Sequence, residues 1–170
     1  MIFLELLTRE NSTDVFNFEQ ENKDYFERTL PPRPTGYFER NTFDSIVDEL
    51  IREQSDGECY MYIVRNDDGV MVGRVNIFDV VNNELKSAEI GYRIGEAFLR
   101  KGYASEAVME IIRTSKALSI DVLYAGTAVA NIGSQRVLLK NGFEMTNQID
   151  KAMKVHGEWI KGVEFKKIID

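Results

Sequence analysis

The 170-residue chain carries 21 Lys and Arg against 28 Asp and Glu, a formal net charge of −7, with 44% hydrophobic and 11% aromatic residues. This profile fits one soluble, acidic domain over residues 1 to 170. It excludes a protein whose main task is gripping nucleic-acid phosphates or an anionic membrane surface, because both need clustered excess cation.

The opening MIFLELLTRE is charged from Glu5 onward and lacks the cationic lead and long apolar run of a signal peptide. No stretch reaches the ~20 apolar residues of a membrane span. One cysteine, Cys59, and one histidine, His156, leave no internal disulfide and no Cys- or His-rich metal site. A cytoplasmic protein without a metal is expected.

A short strand is predicted over residues 2 to 7, then a helix over 12 to 28 with Ser12 or Thr13 as N-cap. Between Glu10 and Glu27 six acids face Lys23 alone, so Glu19, Glu21 and Asp24 are expected to form an acidic wall for a cationic acceptor. Pro31, Pro32 and Pro34 form a rigid connector. Beyond it, Phe43, Ile46, Val47, Leu50 and Ile51 recur at helical spacing over 38 to 54. Strands follow at 59 to 64 and 70 to 78, joined through Asp67-Asp68-Gly69, a hairpin signal, and then at 87 to 94. The run from Gly102 to Leu118 puts Ala104, Val108, Ile111 and Ile112 on one helix face. A strand at 122 to 129, a helix at 132 to 141 stopped by Gly142, and two strands about the turn VHGEW complete the chain. The fold class is α+β (mixed α/β): a mostly antiparallel sheet of about seven strands with about four flanking helices. The strand–helix–strand order implies a crossover that sets 87 to 94 and 122 to 129 side by side in parallel.

Two stretches carry chemistry. LRKGYASEA, 99 to 107, is a glycine-containing turn opening a helix, where unpaired N–H groups and the helix dipole suit a phosphate. Arg100 and Lys101 add positive charge; a plain βα loop with solvated charges is the alternative. The turn lacks the Lys-Ser/Thr of a P-loop and the G-x-G-x-x-G of a dinucleotide fold. The second stretch is NIGS, 131 to 134, where Asn131 suits an N-cap and Ser134 the third helical position. Capping by itself accounts for both. In a parallel pair, however, both helix N-termini open at the same edge of the sheet, where ligands bind.

In their order and spacing, EIGYRI, LRKGYASEA and NIGSQRVLLKNGF resemble the GNAT superfamily of acetyl-CoA-dependent N-acetyltransferases, and within it the ribosomal-protein N-terminal acetyltransferases. The resemblance implies a GNAT-like fold with the parallel pair at the cofactor cleft and acetyl-CoA as cosubstrate. It places the pyrophosphate loop on Leu99, Arg100, Lys101, Gly102, Tyr103 and Ala104. It also sets the pantetheine strand on Ile90, Gly91, Tyr92, Arg93 and Ile94, with Asn131 as a contact to the pantetheine arm. Leu99 departs from the usual Gln or Arg, a small loss where backbone N–H groups do most of the binding. The tyrosine acid of many relatives is replaced by Leu138. Ser134, matching the serine of the ribosomal-protein branch, is therefore the expected contact to the CoA sulfur. Glu89 is the expected base, with a same-face pairing to Arg93 as its structural alternative, and a backbone N–H near Tyr92 is the expected donor to the carbonyl oxygen. The implied partner is an amine acceptor, foremost a basic protein or peptide N-terminus. A small-amine acetyltransferase and a non-catalytic CoA-binding regulator are the rival readings, and monomer and homodimer are both compatible with the resemblance.

Overall fold

A computed structural model describes all of residues 1–170. Seven strands form one sheet: β1 (Ile2–Leu6), β2 (Tyr60–Asn66), β3 (Met71–Asn82), β4 (Lys86–Ile94), β5 (Val122–Ala128), β6 (Glu144–Val155) and β7 (Glu158–Ile168). Five helices flank it: α1 (Ser12–Glu21), α2 (Lys23–Glu27), α3 (Arg40–Ser55), α4 (Tyr103–Ala117) and α5 (Ile132–Lys140). None of them is long and apolar enough to cross a membrane. The strand order is β1-β2-β3-β4-β5-β7-β6, antiparallel except for the parallel pair β4 and β5.

Both sheet faces are covered. Val75, Ile77, Ala88, Ile90, Leu123 and Ala125 pack against Ala107, Val108 and Ile111 of α4 and Leu138 of α5. On the opposite face Ile63 meets Val15 of α1 and Phe43 and Val47 of α3. Each fully buried Val, Leu, Ile or Phe among these contributes ~1.5–3 kcal/mol, which is why the helical stripes read from the sequence decide which face turns inward. The β6–β7 turn is His156-Gly157, with φ of 50° and 80°. This two-residue connection needs left-handed backbone at both positions, and glycine supplies the second at no steric cost.

The β4–β5 pair positions the site. Its register runs from Ser87 opposite Val122 to Ile90 opposite Ala125 and stops there. Beyond that point Gly91 to Ile94 stay paired with β3 and Gly126 to Ala128 stay paired with β7. The two strands part, opening a passage through the sheet between them.

The helix predicted over 12 to 28 is two helices that break at Asn22. Its Nδ2 donates to the Phe18 carbonyl at 2.9 Å and its Oδ1 accepts the Glu96 amide at 2.9 Å, so the side chain ties this point to the segment after β4. The N-cap of α1 is Asn11, not Ser12 or Thr13. Its side chain bonds back to Thr8, Glu5 and Leu6 and does not cap the helix. Local propensity placed the helix; long-range hydrogen bonds set its ends.

Candidate active site

A cleft of about 730 Å³ occupies the passage where β4 and β5 part. Ile90, Gly91, Tyr92 and Arg93 form one side, and Ala125 to Ala128 the other. Asn131, Ser134 and Leu138 of the α5 segment line it as well, and the β6–β7 hairpin adds Met153, Val155 and Ile160.

Past the C-terminal end of β4, a 3₁₀ turn (Glu96–Phe98) leads into the 99 to 104 loop. Arg100 and Gly102 both have left-handed backbone, φ 61° and 82°, and Gly102 is the N-cap of α4 with no side-chain cap. None of the backbone amides from Arg100 to Ser105 donates a hydrogen bond within the chain. A Cβ on Gly102 meets no atom within 4 Å, so the space above it is open. Unpaired N–H groups, a helix N-terminus and the exposed cations Arg100 and Lys101 fit a pyrophosphate.

At the start of α5, Asn131 Oδ1 accepts the Ser134 amide at 3.0 Å, the capping bond expected from the sequence. The Ser134 hydroxyl lies 2.6 Å from the Tyr92 hydroxyl, which is also 3.3 Å from the Ser134 carbonyl oxygen. Burial raises the Tyr92 phenol above its ordinary value, against a smaller downward pull from the bond to Ser134. The phenol therefore keeps its proton at neutral pH. Leu138, seven residues after Asn131, is buried in the core.

On the α1–α2 side the cleft is lined by Arg28, Arg33, Arg74 and Arg93, and no carboxylate lines it. Behind them sits Glu19, 1% exposed, paired with Arg33, with Arg74 at 2.6 Å and with Arg93 at 3.6 Å. Burial pushes the Glu19 carboxyl upward, but the Arg74 and Arg33 guanidiniums outweigh it and hold it below the usual carboxylate range. For Arg93 burial dominates, and with repulsion from Arg33 and Arg74 it pulls the guanidinium down to about 10 despite Glu19.

Residues 2–144 match the family described as Acetyltransferase (GNAT) domain. The chain belongs to this family. As a GNAT enzyme it is an acetyl-CoA-dependent acyltransferase. It is 28% identical over 160 residues to the probable N-acetyltransferase YjcK of Bacillus subtilis (strain 168), covering 93% of this chain and 88% of that one. Two solved structures share the fold. The ribosomal-protein-S5-alanine acetyltransferase from Vibrio fischeri matches with a TM-score of 0.92 at 19% identity, covering 99% of this chain and 93% of that chain. The ribosomal L7/L12 α-N-protein acetyltransferase RimL in complex with coenzyme A matches with a TM-score of 0.90 at 19% identity, covering 99% and 94%.

Within this GNAT fold the expected site residues fall in two groups. Ser134, Asn131 and Ile90 to Arg93 share the cleft, with Ile94 at the end of the same strand and the 99 to 104 loop following it. Glu89 does not line the cleft. It faces an adjoining hollow with Tyr124 and Glu164, where burial, then Asp79 and Glu164, raise its carboxyl above the ordinary value. The alternative pairing of Glu89 with Arg93 is not formed, because the Arg93 side chain turns to Glu19 and stacks over the Phe26 ring at 5.0 Å. For the same reason the Arg93 charge belongs to the α1–α2 side.

The acidic wall is also corrected. Glu19 is neutralised inside the arginine cluster, Glu21 lies against a separate depression with Asp14 and Arg65, and Asp24 does not line the cleft. A linear count of acids missed this because Arg33, Arg74 and Arg93 reach Glu19 from distant parts of the chain. Sequence reasoning also missed the Tyr92 side chain. Its alternation with Ile90 was a signal that it faces the α5 side.

Proposed function

We propose that this GNAT enzyme acetylates the N-terminal α-amine of a protein or peptide. The observation that carries the reading is the Ser134–Tyr92 pair in a cleft that leads, at the end of β4, to a loop of unpaired amides. Whole-length likeness to the ribosomal-protein-S5-alanine acetyltransferase and to the ribosomal L7/L12 α-N-protein acetyltransferase supports it.

Acetyl-CoA, when bound, supplies a thioester carbonyl and a thiol leaving group. The Arg100 to Ser105 amides, with Leu99 flanking them, would hold its pyrophosphate, and the edge of β4 that β5 leaves free from Gly91 to Ile94, with Ile90 at its start and Asn131 Nδ2, would hold the pantetheine arm. A β4 N–H near Tyr92 would donate to the carbonyl oxygen, where negative charge grows during attack. Either hydroxyl can donate in the Tyr92–Ser134 pair; in the arrangement where the phenol donates to Ser134 Oγ, the serine hydrogen is left to point at the sulfur and would aid departure of a thiol of pKa about 8.5. An α-amine of pKa about 8 needs little base, so Glu89 acts through water from the adjoining hollow.

CoA-thiol release measured over a panel of peptides, polyamines and amino acids, with acetyl-CoA binding in parallel, tests this. Turnover on peptide N-termini is expected. Turnover confined to small amines would support the small-amine reading instead.

A further inference from the structure

The charge around the cleft is opposite to that of the chain as a whole. One carboxylate, Glu19, serves three guanidiniums, which leaves the cluster with two uncompensated positive charges. Arg33 and Arg93 remain 26% and 19% exposed, so both face the cleft as well as Glu19, whereas Arg74 is sealed at 8%. Arg28 stands exposed at the same side. Uncompensated charge of this kind is costly to hold away from water unless an anion meets it. Burial first, and then repulsion from Arg33 and Arg74, pull the Arg93 guanidinium down to about 10.

A second polar group points to the other end of an acceptor. Asn76 of β3 lines the cleft, and its Oδ1 is buried without a hydrogen-bond partner. In the sheet register Asn76 lies opposite Gly91, one pleat from the Arg74–Arg93 pair and on the same face. Two residues along a strand span about 6.7 Å. An orphan acceptor for an N–H thus stands about one residue's reach from guanidiniums that lack an anion.

We propose that the acceptor is a primary amine bearing a carboxylate close by, and specifically a peptide N-terminus with an acidic residue at its first or second position. Arg33 and Arg93 bind the carboxylate, and Asn76 Oδ1, unpartnered and brought to the cleft by rotation of its side chain, accepts a hydrogen bond from the amine. The inference rests on the N-terminal reading above and gives the acceptor an acidic character in place of the basic one that the sequence resemblance implied.

The test compares the amidated peptides Ser-Asp-Ala-Ala, Ser-Asn-Ala-Ala and Ser-Lys-Ala-Ala, free aspartate and spermidine by CoA-thiol release. The aspartyl peptide is expected to exceed the asparaginyl one about tenfold in kcat/KM, with the lysyl peptide lowest, and the preference should shrink as salt rises. Arg33→Gln should lower kcat/KM for the aspartyl peptide toward the asparaginyl value while KM for acetyl-CoA holds. Arg28→Gln, at the exposed rim, should do the same to a smaller degree, and gives a readout if Arg33→Gln does not fold. Equal or better use of the lysyl peptide would overturn the inference and leave the N-terminal reading standing. Use of aspartate alone would support carboxylate recognition while removing the N-terminal reading. Turnover of spermidine alone, or of none of these amines, overturns both.

Discussion

The hydroxyls of Tyr92 and Ser134 are 2.6 Å apart, although 42 residues separate them in the chain. Tyr92 comes from β4, Ser134 from the first turn of α5, and the Asn131 cap holds the serine backbone while the phenol holds its side chain. Ser134→Ala is expected to lower kcat more than it raises KM for acetyl-CoA. Tyr92→Phe keeps the ring in its packing and should lower kcat about tenfold, the scale of one lost hydrogen bond. The double variant should match Ser134→Ala alone, because residues acting as a unit are not additive. Steady-state kinetics of the three variants check this, and additive losses would separate the two residues.

Gly102→Glu should abolish measurable acetyl-CoA binding by calorimetry, since the new side chain enters the open space above the unpaired amides and brings negative charge to an anion site. Gly102→Ala isolates the backbone contribution. At φ 82° it costs about 1–2 kcal/mol in left-handed strain and should weaken binding far less than the glutamate.

Glu19→Gln should destabilise the fold by ~3–5 kcal/mol, because it leaves buried guanidiniums without their carboxylate. The pH dependence has a defined sign. The folded-state value of Glu19 lies below 4.5, so its stabilisation is complete above pH 4.5 and is lost as pH falls through that lower value. Denaturant midpoints measured from pH 7 down to pH 3 should fall steeply in the parent chain and less steeply in the variant.

Glu89 offers a kinetic signature. Its carboxyl is raised above 4.5 by burial and by Asp79 and Glu164, so a base role places an acid limb of kcat/KM above that pH. Activity should fall as pH drops through the limb, because the protonated acid cannot accept a proton. Glu89→Gln should remove this limb and lower kcat/KM about tenfold at pH 6, while the limb of the α-amine itself near pH 8 persists. An unchanged profile would exclude Glu89 from proton transfer.

Much of the fold was legible because it is written in local patterns. Helical spacing of Phe43, Val47 and Leu50, the Asp68-Gly69 turn, and the strand–helix–strand order that made β4 and β5 parallel each depend on residues close in sequence. The anion-ready loop was legible for the same reason: glycine at the mouth of a helix exposes amides whatever the rest of the chain does. The break at Asn22 was not, because its carboxamide bonds to Glu96, 74 positions away.

The sequence by itself determined the element order, the parallel pair, the loop around Gly102 and the Asn131 cap, since backbone geometry and hydrophobic period act over a few residues. Only the tertiary structure decided which side chains meet. Tyr92 and Arg93 are neighbours, and on a strand they point to opposite faces, one to Ser134 and the other to Glu19. The net charge of −7 likewise describes the whole surface, while the cleft is lined by arginines, because burial and pairing, not composition, set the field where a substrate binds.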